Sequence, residues 1–338
     1  MIKIGMIGYG KMGKIRAKAV RENGGGTIRA VYDPQCDPKA DGLPRVESPE
    51  AVIAHPEVEA VFICTPNYMN KPLTIAALQA GKHVFCEKPP AFCAQDIREI
   101  RAVEMESTKR LMYGFNHRHH GSIKKAKELM DSGEFGHLLW MRGRYGKNVD
   151  ADYFDTWRAK KELAGGGILL DQGIHMLDLF LHFANDFDVV QAIVQNRYWA
   201  LDIEDNVFAN FLNTKTGVAA SLHSTMLQWR HLFSLEIFME KGHLVINGLK
   251  TPSGAYGEEV LTMERNMGQP PEARWDEPQS FFYPTDGSWN SEIDSFFRAI
   301  QSGKRVEHGS STDALKLMTL IDRVYQKGVK TGQEMEAD

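Results

Sequence analysis

Cysteine is scarce in this chain. Four residues, Cys36, Cys64, Cys86 and Cys93, are spread through 338 positions with no CxxC spacing. That excludes a disulfide framework and a zinc ribbon, and it predicts reduced thiols in a cytoplasmic protein. Long apolar runs are missing too: nothing approaches about 20 uninterrupted apolar residues, so no transmembrane helix is expected. There is no excess of basic charge. A net charge of −4 makes no electrostatic case for nucleic acid or an anionic membrane, although a local basic pocket is compatible with it. The N-terminus runs from Met1 straight into an apolar strand pattern at Ile2–Ile7. With no basic region, apolar stretch and small-residue cleavage site, no signal peptide is expected. Internal repeats and low-complexity tracts are also lacking. What is present is a soluble globular composition, 43% hydrophobic and 25% charged, long enough for two domains with separate cores.

The first third alternates strand and helix signals. Apolar β-prone runs at Ile2–Ile7, 28–32, 60–65, 83–86 and 111–115 are separated by helical spacing at 11–20, 71–80 and 94–106. Such alternation predicts a parallel, doubly wound sheet over residues 1–119. After about residue 120 the pattern changes. A helix at 123–130 is followed by longer alternating runs at 138–145, 189–199, 206–213, 218–226, 232–239 and 243–246, joined by short turns. Short gaps favour antiparallel hairpins, so residues 120–338 are expected to form an α+β domain with a mostly antiparallel sheet. If the sheet face away from its helix is apolar, a second subunit is the natural cover. The segment 251–290, rich in Gly, Pro and Glu, reads as a long loop. Its Phe281, Phe282, Tyr283 and Trp289 suit stacking on a sugar or covering a subunit contact. Closing helices are expected at 291–301 and 313–327.

Several strand ends carry chemistry. Gly8-Tyr9-Gly10-Lys11-Met12-Gly13 follows a strand and opens a helix. In that context Gly8 permits a tight turn, Gly10 lets backbone approach a pyrophosphate, and Gly13 allows close helix packing. A plain glycine-rich turn is the bland alternative. Asp33 closes the second strand, where a carboxylate accepts hydrogen bonds from a ribose diol and repels a 2′-phosphate; this favours NAD over NADP. Asp33-Pro34 also reads as an ordinary turn. Thr65-Pro66-Asn67 ends the third strand, and Glu87-Lys88-Pro89-Pro90 ends the fourth. An ammonium at Lys88 is aimed at the crevice where such sheets bind ligands, and it suits a developing alkoxide. The fifth strand ends in Asn116-His117-Arg118-His119-His120. Adjacent His119 and His120 point apart in extended chain and nothing nearby completes a metal set, so Asn116 and Arg118 are the better ligand candidates.

A last motif lies in the second half. Gly165-Gly166-Gly167 precedes a helix that places Asp171, His175 and Asp178 on one face, with Leu170, Ile174, Leu177 and Leu181 on the next stripe. Such a helix anchors itself in a core and presents a carboxylate and an imidazole together. A zinc pair and a solvated face are the competing readings. The glycines suggest close approach by a nicotinamide or a substrate.

Taken in order, these motifs resemble the Gfo/Idh/MocA oxidoreductases over nearly the whole chain. The Glu-Lys-Pro and Gly-Gly-Gly…Asp…His pair is far more specific than the glycine turn alone. The resemblance implies a Rossmann domain, then an α+β domain with an open, mostly antiparallel sheet through which members form homodimers or homotetramers. It implies hydride transfer between a nicotinamide and a carbinol carbon of a sugar, nucleotide sugar or cyclitol. It assigns catalysis to Lys88, Asp171 and His175, and it puts Trp157-Arg158 near the cofactor. His175 would take the hydroxyl proton, Lys88 would stabilise the alkoxide or accept the proton itself, and Asp171 would orient the hydroxyl or the base. The expected cofactor set is Gly8, Tyr9, Gly10, Lys11, Met12, Gly13, Asp33, Thr65, Pro66, Asn67, Glu87, Lys88, Asn116, Trp157 and Arg158. The substrate set is Lys88, Arg118, Asp171 and His175, and no metal is expected. Two departures stand out: Asn70 and Gly121 occupy positions where many relatives carry histidine and proline. Two alternatives use the same scaffold: an NAD recycled in place during glycoside hydrolysis or sugar–sugar hydride exchange, and a nucleotide-binding regulator without turnover.

Overall fold

A computed structural model describes residues 1–266 and 278–332. The chain divides into two compact units. The first takes Met1–His119, Glu162–Gly165 and Gly287–Thr319, and the second takes His120–Lys161, Gly166–Asp286 and Leu320–Asp338. The stretch 120–338 thus returns twice to the first unit.

The first unit is built on β1 (Ile2–Ile7), α1 (Lys11–Asn23), β2 (Gly26–Tyr32), α2 (Pro49–Ala54), β3 (Ala60–Ile63), α3 (Asn70–Gln79), β4 (His83–Glu87), α4 (Ala94–Glu106) and β5 (Leu111–Gly114). Its sheet has the order β2-β1-β3-β4-β5 with every pairing parallel. Strands β3 and β5 are buried along their whole length, as continuous apolar runs covered on both faces should be. The order reverses between β1 and β3, and open sheets of this kind bind ligands at the strand carboxyl ends beside that reversal. Helix α2 lies outside the sequence-based expectation. Six residues give too little periodicity to read, but Ser48 caps it by accepting from Ala51 N–H at 3.1 Å, and Pro49 starts it.

The second unit follows α5 (Gly121–Asp131), β6 (Leu138–Gly146), the short α6 (Lys161–Ala164, divided between the units), α7 (Ile174–Ala184), β7 (Val189–Asn196), β8 (Asn206–Leu212), β9 (Ala219–Thr225), β10 (Leu232–Met239), β11 (Gly242–Asn247), β12 (Glu259–Arg265) and β13 (Gln279–Tyr283). Helix α8 (Ser288–Ser302) belongs to the first unit, α9 (Ser311–Lys327) begins there and ends in the second, and β14 (Val329–Gly332) completes the second sheet. That sheet has nine strands in the order β13-β12-β11-β10-β6-β9-β8-β7-β14. Neighbours are antiparallel except β6 with β9 and β14 with β7.

The expected loop over 251–290 contains β12 and β13, and α8 begins within it at Ser288. Residues 267–277 of that segment lie outside the described residues. Its aromatic residues are mostly used internally. The Tyr283 ring packs where a Cβ on Gly121 would come to 2.3 Å, which is why α5 opens on glycine. Trp289 lies under the Arg16 guanidinium, 4.6 Å from ring centre to Cζ. Phe282 is 72% exposed.

The helix expected through Asp171 and His175 is also modified. Leu169–Gly173 is a π-helical turn, and regular α-helix starts only at Ile174. A π-turn carries more residues per turn than an α-helix, so the spacing of Asp171 relative to His175 and Asp178 differs from that of a regular α-helix. Asp178 is wholly buried with the apolar stripe, whereas the Asp171 side chain keeps 18% of its surface exposed.

Candidate functional site

The glycine turn of the first unit meets its geometric requirements. Gly8 has φ +92°, and a Cβ there would strike the Cys64 carbonyl oxygen at 2.4 Å. A Cβ on Gly13 would meet the Gly8 oxygen at 2.2 Å, so the helix sits tight on the turn. Gly10 differs: nothing lies within 4 Å of its Cβ position. It is the N-cap of α1, with no side-chain cap and no acidic residue in the first turn. A helix N-terminus without a side-chain cap suits a pyrophosphate. Lys11 and Met12 continue as the first turn of α1.

Asp33 is buried at the end of β2. Its carboxylate accepts from Tyr9 N–H at 2.6 Å and from the N–H groups of Gln35 and Cys36 at 2.8 and 2.7 Å. These bonds fix the turn and aim the acid. Tyr9 donates its hydroxyl to Asp41 at 2.8 Å. Burial, then the Asp41 carboxylate, pushes that phenol up to about 12.

The Glu-Lys-Pro segment is held from both sides, by Arg16, which the sequence reading passed over, and by Asn70, which it noted only as a departure from relatives. Arg16 of α1 is 0% exposed and bonds Glu87 at 2.6 Å and Glu292 at 2.5 Å. Its guanidinium lies 4.4 Å from the Phe85 ring centre. Burial would lower its pKa, but the carboxylates of Glu292 and Glu87 outweigh that and raise it. Asn70 is also 0% exposed. Its amide N–H₂ donates to the carbonyls of Glu87 (3.3 Å) and Pro89 (2.8 Å), and its oxygen accepts from the Thr65 hydroxyl (3.2 Å). One side chain therefore grips the backbone immediately before and after Lys88, where the peptide to Pro89 is cis. A charged residue among Gly13, Ala17 and Val20 on the buried stripe of α1 was a legible sign of Arg16. Asn70 offered no such sign.

Other expected ligand residues are tied within the unit. Asn67 follows Pro66 and donates its amide to the Ala164 carbonyl at 2.8 Å. Asn116 donates to the Ser288 hydroxyl at 3.2 Å. Arg118 is buried and pairs with Asp313 at 3.6 Å.

The three glycines, Gly165 in the first unit and Gly166 and Gly167 in the second, make room for the protein itself. A Cβ on Gly165 would strike the Phe92 ring at 2.4 Å, within the first unit. On Gly166 it would strike the Tyr325 hydroxyl at 2.4 Å, and on Gly167 the Glu204 carbonyl oxygen at 2.0 Å. Glu204 is the reason for the close approach. Its buried carboxylate accepts from Gly167 N–H (2.8 Å), Leu169 N–H (3.0 Å) and Tyr325 O–H (2.8 Å), capping the π-turn. Burial raises the Glu204 carboxyl against the pull of those donors.

Asp171, held by that turn, pairs with the ammonium of Lys147, the residue just after β6. Lys147 is 7% exposed, and its ammonium lies 4.5 Å from the Tyr153 ring centre. Tyr145, two residues earlier on the same strand face, stands 6.3 Å from the His175 ring and 5.3 Å from the Tyr256 ring. Tyr256 donates to Gln172 at 3.3 Å. Burial pushes the phenols of Tyr145, Tyr153 and Tyr256 up, and the Asp171 charge adds to each. All three stay protonated near neutrality, so they serve as hydrogen-bonding groups and not as bases. Strand alternation through Gly143, Tyr145 and Lys147 contained this signal. Trp157 and Arg158 lie in a 3₁₀ turn of this unit, the guanidinium 4.4 Å from the indole centre. Among the described residues, no three His, Cys, Asp or Glu side chains gather to hold a metal ion.

Similarity to known proteins agrees with these features. Residues 2–115 match the model of an oxidoreductase family described as an NAD-binding Rossmann fold. Residues 123–245 match the GFO/IDH/MocA C-terminal domain. The chain is 32% identical over 146 residues to a levoglucosan dehydrogenase of Pseudarthrobacter phenanthrenivorans, covering 43% of this chain and 37% of that one. It is 31% identical over 190 residues to a myo-inositol 2-dehydrogenase of Thermotoga maritima, covering 53% of each. These matches span about half the length of the curated relatives or less. The fold resembles that of KijD10, a 3-ketoreductase from Actinomadura kijaniata, with TM-score 0.84, 24% identity and coverage of 98% and 99% of the two chains. With a Rossmann model over the first sheet and a companion model over the π-turn and the strands around it, the chain belongs to the Gfo/Idh/MocA oxidoreductase family.

Proposed function

We propose that this chain is an NAD-dependent oxidoreductase that moves hydride between nicotinamide and a secondary alcohol or ketone of a sugar, nucleotide sugar or cyclitol. The observation that carries the reading is the polar set of the second unit. A carboxylate and an imidazole share one helical segment, with an ammonium and three protonated phenols packed around them. That set suits a neutral, polyhydroxylated ring. In this reading residues 1–119 bind the dinucleotide and residues 120–338 hold the substrate. Asp33 favours NAD because a carboxylate there repels a 2′-phosphate.

Bound nicotinamide supplies the hydride acceptor. His175 takes the hydroxyl proton in the oxidative direction, the general-base role open to an imidazole. In this reading Lys88 is assigned stabilisation of a developing alkoxide. Asp171 accepts from a substrate hydroxyl and orients the ring. Arg118 is a further substrate contact only if substrate displaces its bond to Asp313.

A second copy of the chain belongs to the same reading. The sheet face away from α7 carries stacked pairs, Trp140 on Phe238 and Phe208 on His223, each with centroids 4.0 Å apart, and Ile193 and Phe208 are each 44% exposed. Sedimentation should show a dimer or tetramer. The four free thiols suit a reducing compartment such as the cytoplasm.

The test is a reduction screen with NAD and NADP across inositols, hexoses, uronic acids and nucleotide sugars. The expected result is stoichiometric NADH release with at least one polyol or sugar and a preference for NAD. Silence across the panel by a folded, NAD-binding protein would sink the proposal. Cofactor that copurifies and is never released would point to internal recycling.

A further inference from the structure

We infer that Lys147 is a positioning residue of the reaction: its ammonium holds Asp171 ionised and fixes the carboxylate on the π-turn, four residues ahead of His175. The inference rests on the hydride-transfer reading and deepens it. Lys147 is not part of the glycine motif and lies 24 residues before Asp171 in sequence. Three features converge on it. Its backbone is anchored by donation to the Thr225 carbonyl at 3.0 Å. Its stem is buried, and its head lies against the face of Tyr153 at 4.5 Å. Its ammonium reaches the Asp171 carboxylate. A lysine loses much rotamer freedom when it is ordered like this, so the geometry needs a strong partner at its tip.

The surroundings explain why that partner matters. Tyr145 faces Asp171 from β6, Tyr153 from the turn Ala151–Asp155, and Tyr256 from the loop between β11 and β12. His175 follows on α7. Glu204, which caps the same turn, and Arg158 both act on Tyr153. A carboxylate among buried rings favours its neutral form unless a cation stands beside it. Protonated Asp171 would lose its capacity as a double acceptor for a sugar hydroxyl. Lys147 supplies that cation and aims the carboxylate, without contacting the reacting carbon.

The experiment compares Lys147→Met and Lys147→Arg with the unaltered chain. The Asp171 carboxyl is titrated by carbon-13 NMR on aspartate-labelled protein, with Asp171→Asn identifying the signal. In Lys147→Met the Asp171 midpoint should rise by about one pH unit or more. The acid limb of the kcat/KM profile should move the same way, and kcat should fall about tenfold or more with KM little changed. Lys147→Arg should restore the midpoint and most of the rate. An unmoved Asp171 midpoint in an active Lys147→Met enzyme would overturn the role of Lys147 alone. A rate loss with no movement of the acid limb, and no rescue by arginine, would do the same. If the unaltered protein turns over no alcohol in the screen, the hydride-transfer reading falls instead.

Discussion

The two units each hold a lysine, by opposite means. Lys88 is fixed through its backbone: Asn70 bonds the carbonyls on either side of it, and Arg16 locks the neighbouring Glu87. Lys147 is fixed through its side chain, by Asp171 and the Tyr153 ring. The difference bears on chemistry. The Asn70 bonds set the point at which Lys88 leaves the strand end. A lysine already paired with a carboxylate is better suited to stabilising another group. The scaffolds differ in parallel. The first sheet is parallel, with β3 and β5 buried along their whole length. The second presents one wide face, and its Asp171 sits on a π-turn capped by Glu204.

The sharpest way to break this comparison is Lys88→Ala. It should lower kcat by about 10²–10³-fold, as loss of a donor to a developing oxyanion does, while NADH binding measured by fluorescence stays nearly unchanged. Equal losses from Lys88→Ala and Lys147→Met, with the same pH profile, would erase the distinction. Next in size is the cap of the π-turn. Glu204→Gln should destabilise the protein by about 1–3 kcal/mol, because an amide cannot accept from Gly167, Leu169 and Tyr325 together. Thermal unfolding checks this, and an unchanged midpoint would mean the π-turn is self-supporting.

A smaller effect is expected from Asn70→Ala. Loss of the amide should loosen Lys88 and lower kcat about tenfold, since small misplacements of a reacting group are costly. Stopped-flow transients at saturating NAD would show it. A rate equal to that of the unaltered enzyme would mean the prolines suffice. The smallest effect concerns pH. Burial, then Lys109 and Arg110, pulls His83 down to about 4, and its Nδ1 accepts from Arg110 N–H at 3.0 Å. The unfolded chain binds this proton near pH 6.5 and the folded one only near 4. Stability from this ring is therefore complete above about pH 6.5 and is lost as pH falls toward 4. The ring is partly exposed, so solvent screening keeps the effect to about 1 kcal/mol or less. His83→Asn should flatten the pH dependence of unfolding over that window.

Local patterns were legible where chain neighbours set the physics. The Gly8–Gly13 turn, the apolar runs of β1, β3 and β4, and the placing of Asp171 and His175 on one helical segment all follow from spacing. Strands β12 and β13 were not legible. Their segment is rich in turn-forming residues, and only pairing with β11 makes it a sheet edge. The glycines at 165–167 were legible as a close approach, but not as an approach by Glu204, 37 residues beyond Gly167.

By itself, the sequence determined the alternation that makes a parallel sheet, the open glycine turn at Gly10, the acid at Asp33 and the family motifs around Lys88 and Asp171. Only the tertiary structure decided which groups support them: Arg16 and Asn70 for Lys88, Lys147 and Glu204 for the π-turn. The reason is range. Helix and strand periodicity reports neighbours a few residues apart, whereas a buried ion pair or a capped turn joins groups that chain spacing leaves independent until the core desolvates them together.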